Sequence, residues 1–294
     1  MKEFSSEHIL NICLVGHAST GKTTLSESLL FNAGVIHKLG NIDSGNTISD
    51  YRKHEIDNKH SMSLALMNLV HGDTKINLID CPGYIDFIGE SSAAQRVADV
   101  AAIVISATDG VQVSSTASWD IAKENVQPVM FIVNMVNRDQ SNFNQIVESL
   151  KKEFAREVFP LMIPMNEGEK FSQIADILNE KVQTYKTDSS GDYNLEDLSG
   201  EWLDKVKALN QELIELIAES DEQLLEQFLD TGELSNEQLS KGLRIAIKNR
   251  NLFPVFCTAG EKNIGVKGML DIITKYLPHS SEFDKVEATK NNSD

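Results

Sequence analysis

The sequence predicts a three-layer α/β fold: a mainly parallel sheet with helices on both faces, interrupted by an inserted α+β subdomain over residues 158–251. Three observations predict it. Apolar runs rich in Val and Ile alternate with stretches of helical spacing from Ile9 to Val133, the pattern of strands buried on both faces and crossed over by helices. The alternation changes character near residue 158 and resumes at Leu252–Cys257. Between those points the charge changes too, with thirteen carboxylates against two lysines from Glu196 to Glu237.

The first strand, Ile9–Val15, stops at Gly16 and is followed by Gly16-His17-Ala18-Ser19-Thr20-Gly21-Lys22-Thr23, with a helical pattern from Thr24. This is G-x-x-x-x-G-K-T between strand and helix, the phosphate-binding loop of P-loop NTPases. A triphosphate needs several backbone N–H groups aimed at it, so the chain must curl without a Cβ in the way, as Gly16 and Gly21 allow. The helix N-terminus adds its dipole. Lys22 brings positive charge to the outer phosphates, and the Thr23 hydroxyl suits Mg²⁺.

Leu25, Leu29, Leu30 and Ala33 continue the helix, and Gly34 ends it. Residues 37–61 are polar and aperiodic, a length that inside a compact domain signals function or disorder. Met62–His71 and Thr74–Ile79, separated by Gly72-Asp73, predict two antiparallel strands. The second runs into Asp80-Cys81-Pro82-Gly83-Tyr84. A D-x-x-G at the end of a buried strand can hold Mg²⁺ through the carboxylate of Asp80 and offer the Gly83 N–H to a γ-phosphate. Then come a helix over 89–98, the strand Val100–Ala107, the helix Ser114–Asn125, and the strand Val129–Val133, which ends in Asn134-Met135-Val136-Asn137. A ligand is expected at the carboxyl ends of these strands.

A helix is predicted over 139–154, a short strand over Phe159–Pro164 and a turn or hairpin tip over 185–194. Trp202, Val206, Leu209, Leu213, Leu216 and Ile217 mark one face of a long amphipathic helix, with Trp202 as its anchor. More helix is expected at Asp221–Leu229 and Glu237–Lys248. The strand Leu252–Cys257 leads to Thr258-Ala259-Gly260 and a last helix through Tyr276, stopped by Pro278. The division is then 1–157 with 252–278 as the nucleotide-binding domain, 158–251 as the insertion, and 279–294 as a polar linker or truncated tail.

Five pieces stand in order: the P-loop, a long polar loop, D-C-P-G-Y, N-M-V-N and C-T-A-G. Together with GHASTGKTTL, ATDGVQV and PVFCTAGEKNIGVKGMLDIITKYLP, they make the chain resemble the N-terminal GTPase domain of translational GTPases, and specifically elongation factor G, from about Asn11 to Pro278. Tyrosine after D-x-P-G points to an elongation factor G-like paralogue. The resemblance implies GTP/GDP and Mg²⁺ as ligands and the ribosome as partner, with the acidic insertion meeting the ribosomal stalk. It also implies a β-barrel and further domains after this one. The nucleotide site it implies comprises Gly16, His17, Ala18, Ser19, Thr20, Gly21, Lys22, Thr23, Thr24, Asp80, Gly83, Asn134, Met135, Asn137, Thr258 and Ala259. The metal ligands would be Thr23, Ser61 and Asp80, and the catalytic groups Tyr84, Lys22 and Gly83.

Departures from the family at four motifs, five residues in all, cluster around the nucleotide. Tyr84 stands where the family histidine positions the attacking water; a phenol can hydrogen-bond water but does not act as an imidazole would. Asn137 replaces the aspartate that accepts two hydrogen bonds from guanine, a loss of about 1.5–3 kcal/mol. Met135 can pack over the nucleotide but lacks the lysine charge. Ser61 replaces the Mg²⁺-binding threonine, a mild change, and Ser19 replaces a P-loop aspartate.

Composition narrows the alternatives. With a net charge of −17, the chain lacks the broad basic surface of a DNA-binding protein. No apolar stretch approaches the roughly 20 residues that span a bilayer, and MKEFSSEHIL has no signal-peptide core. Three cysteines, each beside an apolar run, suggest reduced, buried thiols and a cytoplasmic setting. His54, His60 and His71 have no metal-ligand spacing. A monomeric GTPase domain with slow or altered hydrolysis is the leading expectation. The alternative is a ribosome-binding protein with a degenerate nucleotide site, either non-hydrolysing or not selective for guanine. A small-molecule P-loop kinase has no need of the D-x-x-G and N-x-x-N positions together.

Overall fold

The computed structural model describes residues 3–283. β1 (Ile9–Val15) is followed by α1 (Lys22–Asn32) and the short α2 (Lys53–Asn58). The hairpin β2 (Ala65–His71) and β3 (Thr74–Asp80) leads to α3 (Ile88–Val97), β4 (Val100–Ser106), α4 (Val113–Glu124), β5 (Val129–Asn134) and α5 (Phe143–Glu153). Next come β6 (Val158–Pro160), β7 (Met162–Pro164), β8 (Gln173–Asp176), β9 (Lys181–Tyr185) and β10 (Tyr193–Asp197). The helices α6 (Glu201–Glu219), α7 (Glu222–Thr231) and α8 (Asn236–Lys248) precede β11 (Phe253–Cys257) and α9 (Val266–Tyr276).

Seven strands form one sheet in the order β2-β3-β1-β4-β5-β11-β6. Only β2 runs antiparallel to its neighbour. Every residue of β4 and β5 is buried, which is why these strands read as unbroken Val, Ile and Ala runs rather than alternating ones. The edge strand β2 instead alternates buried and exposed residues, and its register with β3 brings Ala65 opposite Asp80. α1 packs on β3 and α9, and α3 on β1 and α4, so helices cover both faces.

A second, antiparallel sheet has the order β10-β9-β8-β7. The stretch expected as one strand over Phe159–Pro164 is two. β6 pairs in parallel with β11 in the large sheet, while β7 pairs with β8. Leu161 bridges them, its N–H donating to the Val255 carbonyl at 2.9 Å. β8 and β9 carry too few residues for their period to show. The residues of α6 behave as their spacing predicts. Val206, Leu213 and Ile217 are buried, and Trp202, Leu209 and Leu216 pack partly covered against the core. The two following helices start at side-chain caps, Asp221 on Gln223 and Leu224, and Ser235 in a capping box with Gln238.

Smaller differences follow local chemistry. α1 starts at Lys22 because Gly21 takes the left-handed conformation as its N-cap. α5 starts at Phe143, where Asn142 caps it. The polar segment 37–61 contains α2, ended by Lys59 at φ 56°. Residues 279–283 are docked rather than linker-like. Ser280 and Asn11 share Asp99, and His279 bonds the Glu7 carbonyl; the rest of the expected tail, 284–294, lies outside the described residues. Cys13, Cys81 and Cys257 are free and buried, and burial pushes Cys13 up to about 12. Among the described residues no helix is long and apolar enough to cross a membrane.

Candidate functional site

Four parallel strands deliver the residues of interest to one end of the sheet. β1 runs into the loop 16–21, β3 ends on Asp80, β5 on Asn134, and β11 leads to Thr258. This is the edge where open α/β sheets bind ligands. Two adjoining hollows lie there, of about 330 and about 360 Å³. The first is bordered by Asn134, Met135, Asn137, Thr24 and Gly260, and the second by Ala18, Ser19, Lys22, Thr23, Ser61 and Gly83. Gly21, Thr24, Ile42, Asp43 and Met135 border both.

At the second hollow Lys22 and Asp80 are deeply covered. The Lys22 Nζ turns back on its own loop, donating to the carbonyls of Gly16 (3.0 Å) and His17 (2.6 Å). Burial lowers its pKa to about 8, against the pull of Asp80. Burial likewise raises the Asp80 carboxyl to about 6, although Lys22 and Thr23 favour its charge. Thr23 Oγ1 donates to Asp80 Oδ2 at 2.9 Å and lies 3.3 Å from Ser61 Oγ. Ser61 in turn donates to Asp50 at 2.6 Å. The other Asp80 oxygen, Oδ1, and the Ser49 hydroxyl are both buried with no hydrogen-bond partner, and Ser49 favours the charged form of Asp80. An orphaned, buried carboxylate oxygen beside two hydroxyls fits a hard cation. Among the described residues no three His, Cys, Asp or Glu side chains gather as a metal cluster. A cation here would therefore take some of its ligands from bound phosphates or water.

Gly83 lies against this loop. A Cβ on it would meet Lys22 Nζ at 2.4 Å and the Ala18 N at 2.6 Å, so only glycine lets the D-x-x-G backbone approach the P-loop. Tyr84, next in sequence, is 45% exposed at the mouth, and its ring meets His60 edge-on with centroids 4.9 Å apart.

At the first hollow Asn134 acts as a brace. Its Nδ2 donates to the Thr20 carbonyl (2.9 Å), and its Oδ1 accepts from Thr258 Oγ1 and the Gly260 N–H (both 3.0 Å). One side chain thereby joins the P-loop to the Thr258-Ala259-Gly260 loop. Gly21 has φ +84°, and a Cβ on it would sit 2.6 Å from Asn134 Nδ2 and 3.2 Å from Met135 Cε, so Met135 packs directly on the P-loop. Asn137 is buried and borders the hollow. Thr258 and Ala259 are fully buried, and the Ala259 N–H is engaged by the Ile264 carbonyl at 2.9 Å. His17 instead points along the other side of its loop, to Ser114 at 3.1 Å.

Sequence reasoning missed several residues that the structure brings here. Glu27, 1% exposed, accepts from the Gly40 N–H (2.8 Å) and the Ile48 N–H (2.6 Å). It fixes the 37–61 loop against α1 and sets Ile42 and Asp43 over the cleft. Its signal was its position four residues after Thr23, on the same face of one helix. Lys59, paired with Asp43 at 2.8 Å, and His60 gave no sequence signal beyond adjacency to Ser61.

The chain matches the family model described as elongation factor Tu GTP binding domain over residues 7–279. It also resembles a protein of Thermus thermophilus whose crystal structure is known, with a TM-score of 0.88 and 32% sequence identity over 94% of this chain. The chain spans 41% of that protein's length. With the P-loop, the D-x-x-G strand end and the Asn134 brace on one cleft, the chain belongs to the translational GTPases, as a G domain of the elongation factor G and elongation factor Tu kind.

Proposed function

We propose that this domain binds GTP or GDP with Mg²⁺ and couples the γ-phosphate to engagement of the ribosome, with slow hydrolysis. The observation that carries the reading is the orphaned Asp80 Oδ1 beside Thr23, Ser61 and the P-loop lysine. In this reading the loop 16–21 and the α1 N-terminus cradle the phosphates. Lys22 leaves its carbonyl partners for the outer phosphates and is fully charged there, since bound anions favour its protonated form. Thr23 and Ser61 would hold Mg²⁺ directly and Asp80 through water, and the ion would neutralise charge on the β- and γ-phosphates. The Gly83 N–H reports the γ-phosphate to the segment that carries Tyr84. Asn134 holds the base-side loops together, Met135 covers one face of the base, and Asn137 faces its edge. In the proposed order of use, the acidic face of α6–α8 meets a basic or stalk-like ribosomal partner while the switch segments meet the ribosome proper. Such a domain works in the cytoplasm as one copy per ribosome.

Calorimetric titration with GDP, GTP, XTP and ATP in the presence of Mg²⁺ tests the nucleotide part. Micromolar binding of GTP or GDP is the expected result. A preference for XTP would favour the second reading, a ribosome-docking module no longer selective for guanine, which the Asn137 amide supports. No binding of any nucleotide would remove the GTPase reading.

A further inference from the structure

We propose that His60, rather than Tyr84, contacts the attacking water at the phosphate end of the cleft. The proposal rests on the nucleotide reading above and names the group that serves its hydrolytic step. Tyr84 offers a hydroxyl but no imidazole. His60 stands beside it, edge-on at 62° and 4.9 Å. Both rings border the hollow that also holds Lys22, Ser61 and Gly83.

The ring's hydrogen-bonding state follows from its partner. His60 Nδ1 lies 2.9 Å from the Asn58 carbonyl oxygen. A carbonyl cannot donate, so Nδ1 carries the hydrogen, and in the neutral ring Nε2 is the acceptor. The backbone around His60 is held on both sides. Its own N–H donates to the Glu55 carbonyl at 3.2 Å. The buried Glu55 carboxylate accepts from the Met62 and Ser63 N–H groups at 2.9 and 3.0 Å. The nearby carboxylate of Asp50 accepts from the Ser61 hydroxyl through one oxygen, and the imidazole adds a neutral acceptor at the same hollow.

The chemistry balances without a further reactant. Nε2 accepts a hydrogen bond from the water and directs its lone pair at the γ-phosphorus. The oxygen–phosphorus bond forms, and the bond from that phosphorus to the β–γ bridging oxygen breaks, its electron pair leaving on GDP. The water proton passes to the released phosphate, so His60 ends unchanged. Tyr84 buttresses the ring.

The test is hydrolysis of radiolabelled GTP by the full 294-residue chain, at enzyme excess, with and without ribosomes, alongside the dissociation constant for GTP. We expect His60→Ala to lower the rate about 10-fold or more with GTP affinity within about twofold. His60→Gln, which keeps an acceptor, should restore most of the rate, and Tyr84→Phe, which keeps the ring that buttresses His60, should lower the rate less than His60→Ala does. Unchanged hydrolysis by His60→Ala, or equal losses in His60→Ala and His60→Gln, would overturn the proposal, as would binding of GTP without hydrolysis by the unaltered chain. Failure of the unaltered chain to bind GTP would overturn the nucleotide reading and this proposal with it.

Discussion

At Asn137 a carboxamide stands where two donors of a guanine would meet a carboxylate. Asn137→Asp should tighten GTP binding by about 10- to 150-fold, the equivalent of roughly 1.5–3 kcal/mol, and shift any XTP preference toward GTP; calorimetry on both nucleotides reads it. Asp80 shows the opposite tension, between stability and use. Its carboxyl pKa is 3.8 unperturbed and about 6 here, raised chiefly by burial. The folded chain therefore holds that proton more tightly than the unfolded chain does. The resulting stability is fully present below about pH 4 and is lost as pH rises through 6, an effect of roughly 1–3 kcal/mol. Asp80→Asn should thus raise the melting temperature of the nucleotide-free protein at pH 8, with the gain vanishing near pH 4, while weakening Mg²⁺-dependent nucleotide binding. Thermal unfolding across that range checks the sign. The phosphate-side residues were legible in the sequence because backbone geometry demands glycine, lysine and a hydroxyl at fixed spacing. His60 and Glu27 were not, because their partners lie in a loop whose path no periodicity encodes.

The 37–61 segment is where a single helix controls a loop. Glu27 on α1 holds Gly40 and Ile48 through one carboxylate, and a Cβ on Gly40 would meet Glu27 Oε2 at 2.5 Å. Glu27→Ala would leave two amides without their charged acceptor, a loss of roughly 1–3 kcal/mol. Amide hydrogen exchange at Gly40 and Ile48 should quicken strongly while exchange in β4 and β5 stays unchanged. Equal quickening in all of them would mean that the carboxylate supports the whole fold and not this loop. The long strands and helices were readable because burial on both faces, or on one helical stripe, repeats over many residues. The strands β6 and β7 were read as one because three residues each, separated by Leu161, show an unbroken apolar run whichever sheet they join.

Across the whole molecule, the second sheet is locked to the GTPase core through α9. The Gly268 N–H donates to Tyr185 Oη at 3.2 Å, and a Cβ on Gly268 would meet Gln183 Oε1 at 2.2 Å. Asp271 of the same helix accepts from Tyr193 Oη at 2.8 Å and pairs with His71 of β2 at 2.6 Å. Gly268→Val should destabilise the chain by roughly 1–3 kcal/mol through overpacking, measured by urea unfolding, whereas Asp271→Asn should cost less because its partners remain partly in water. The sequence showed that an insertion existed, from the break in alternation and the acidic run. It did not show this contact, which is made by residues far apart in the chain. The three sealed cysteines have a practical consequence of their own. Cys13 lies in β1 and Cys257 in β11, whereas Cys81 alone borders the phosphate-end hollow. A slow alkylating reagent should therefore reach Cys81 before the other two as the phosphate end opens, and slowly, because burial holds its thiol well above the ordinary range; mass spectrometry reads the order of capture without introducing any label.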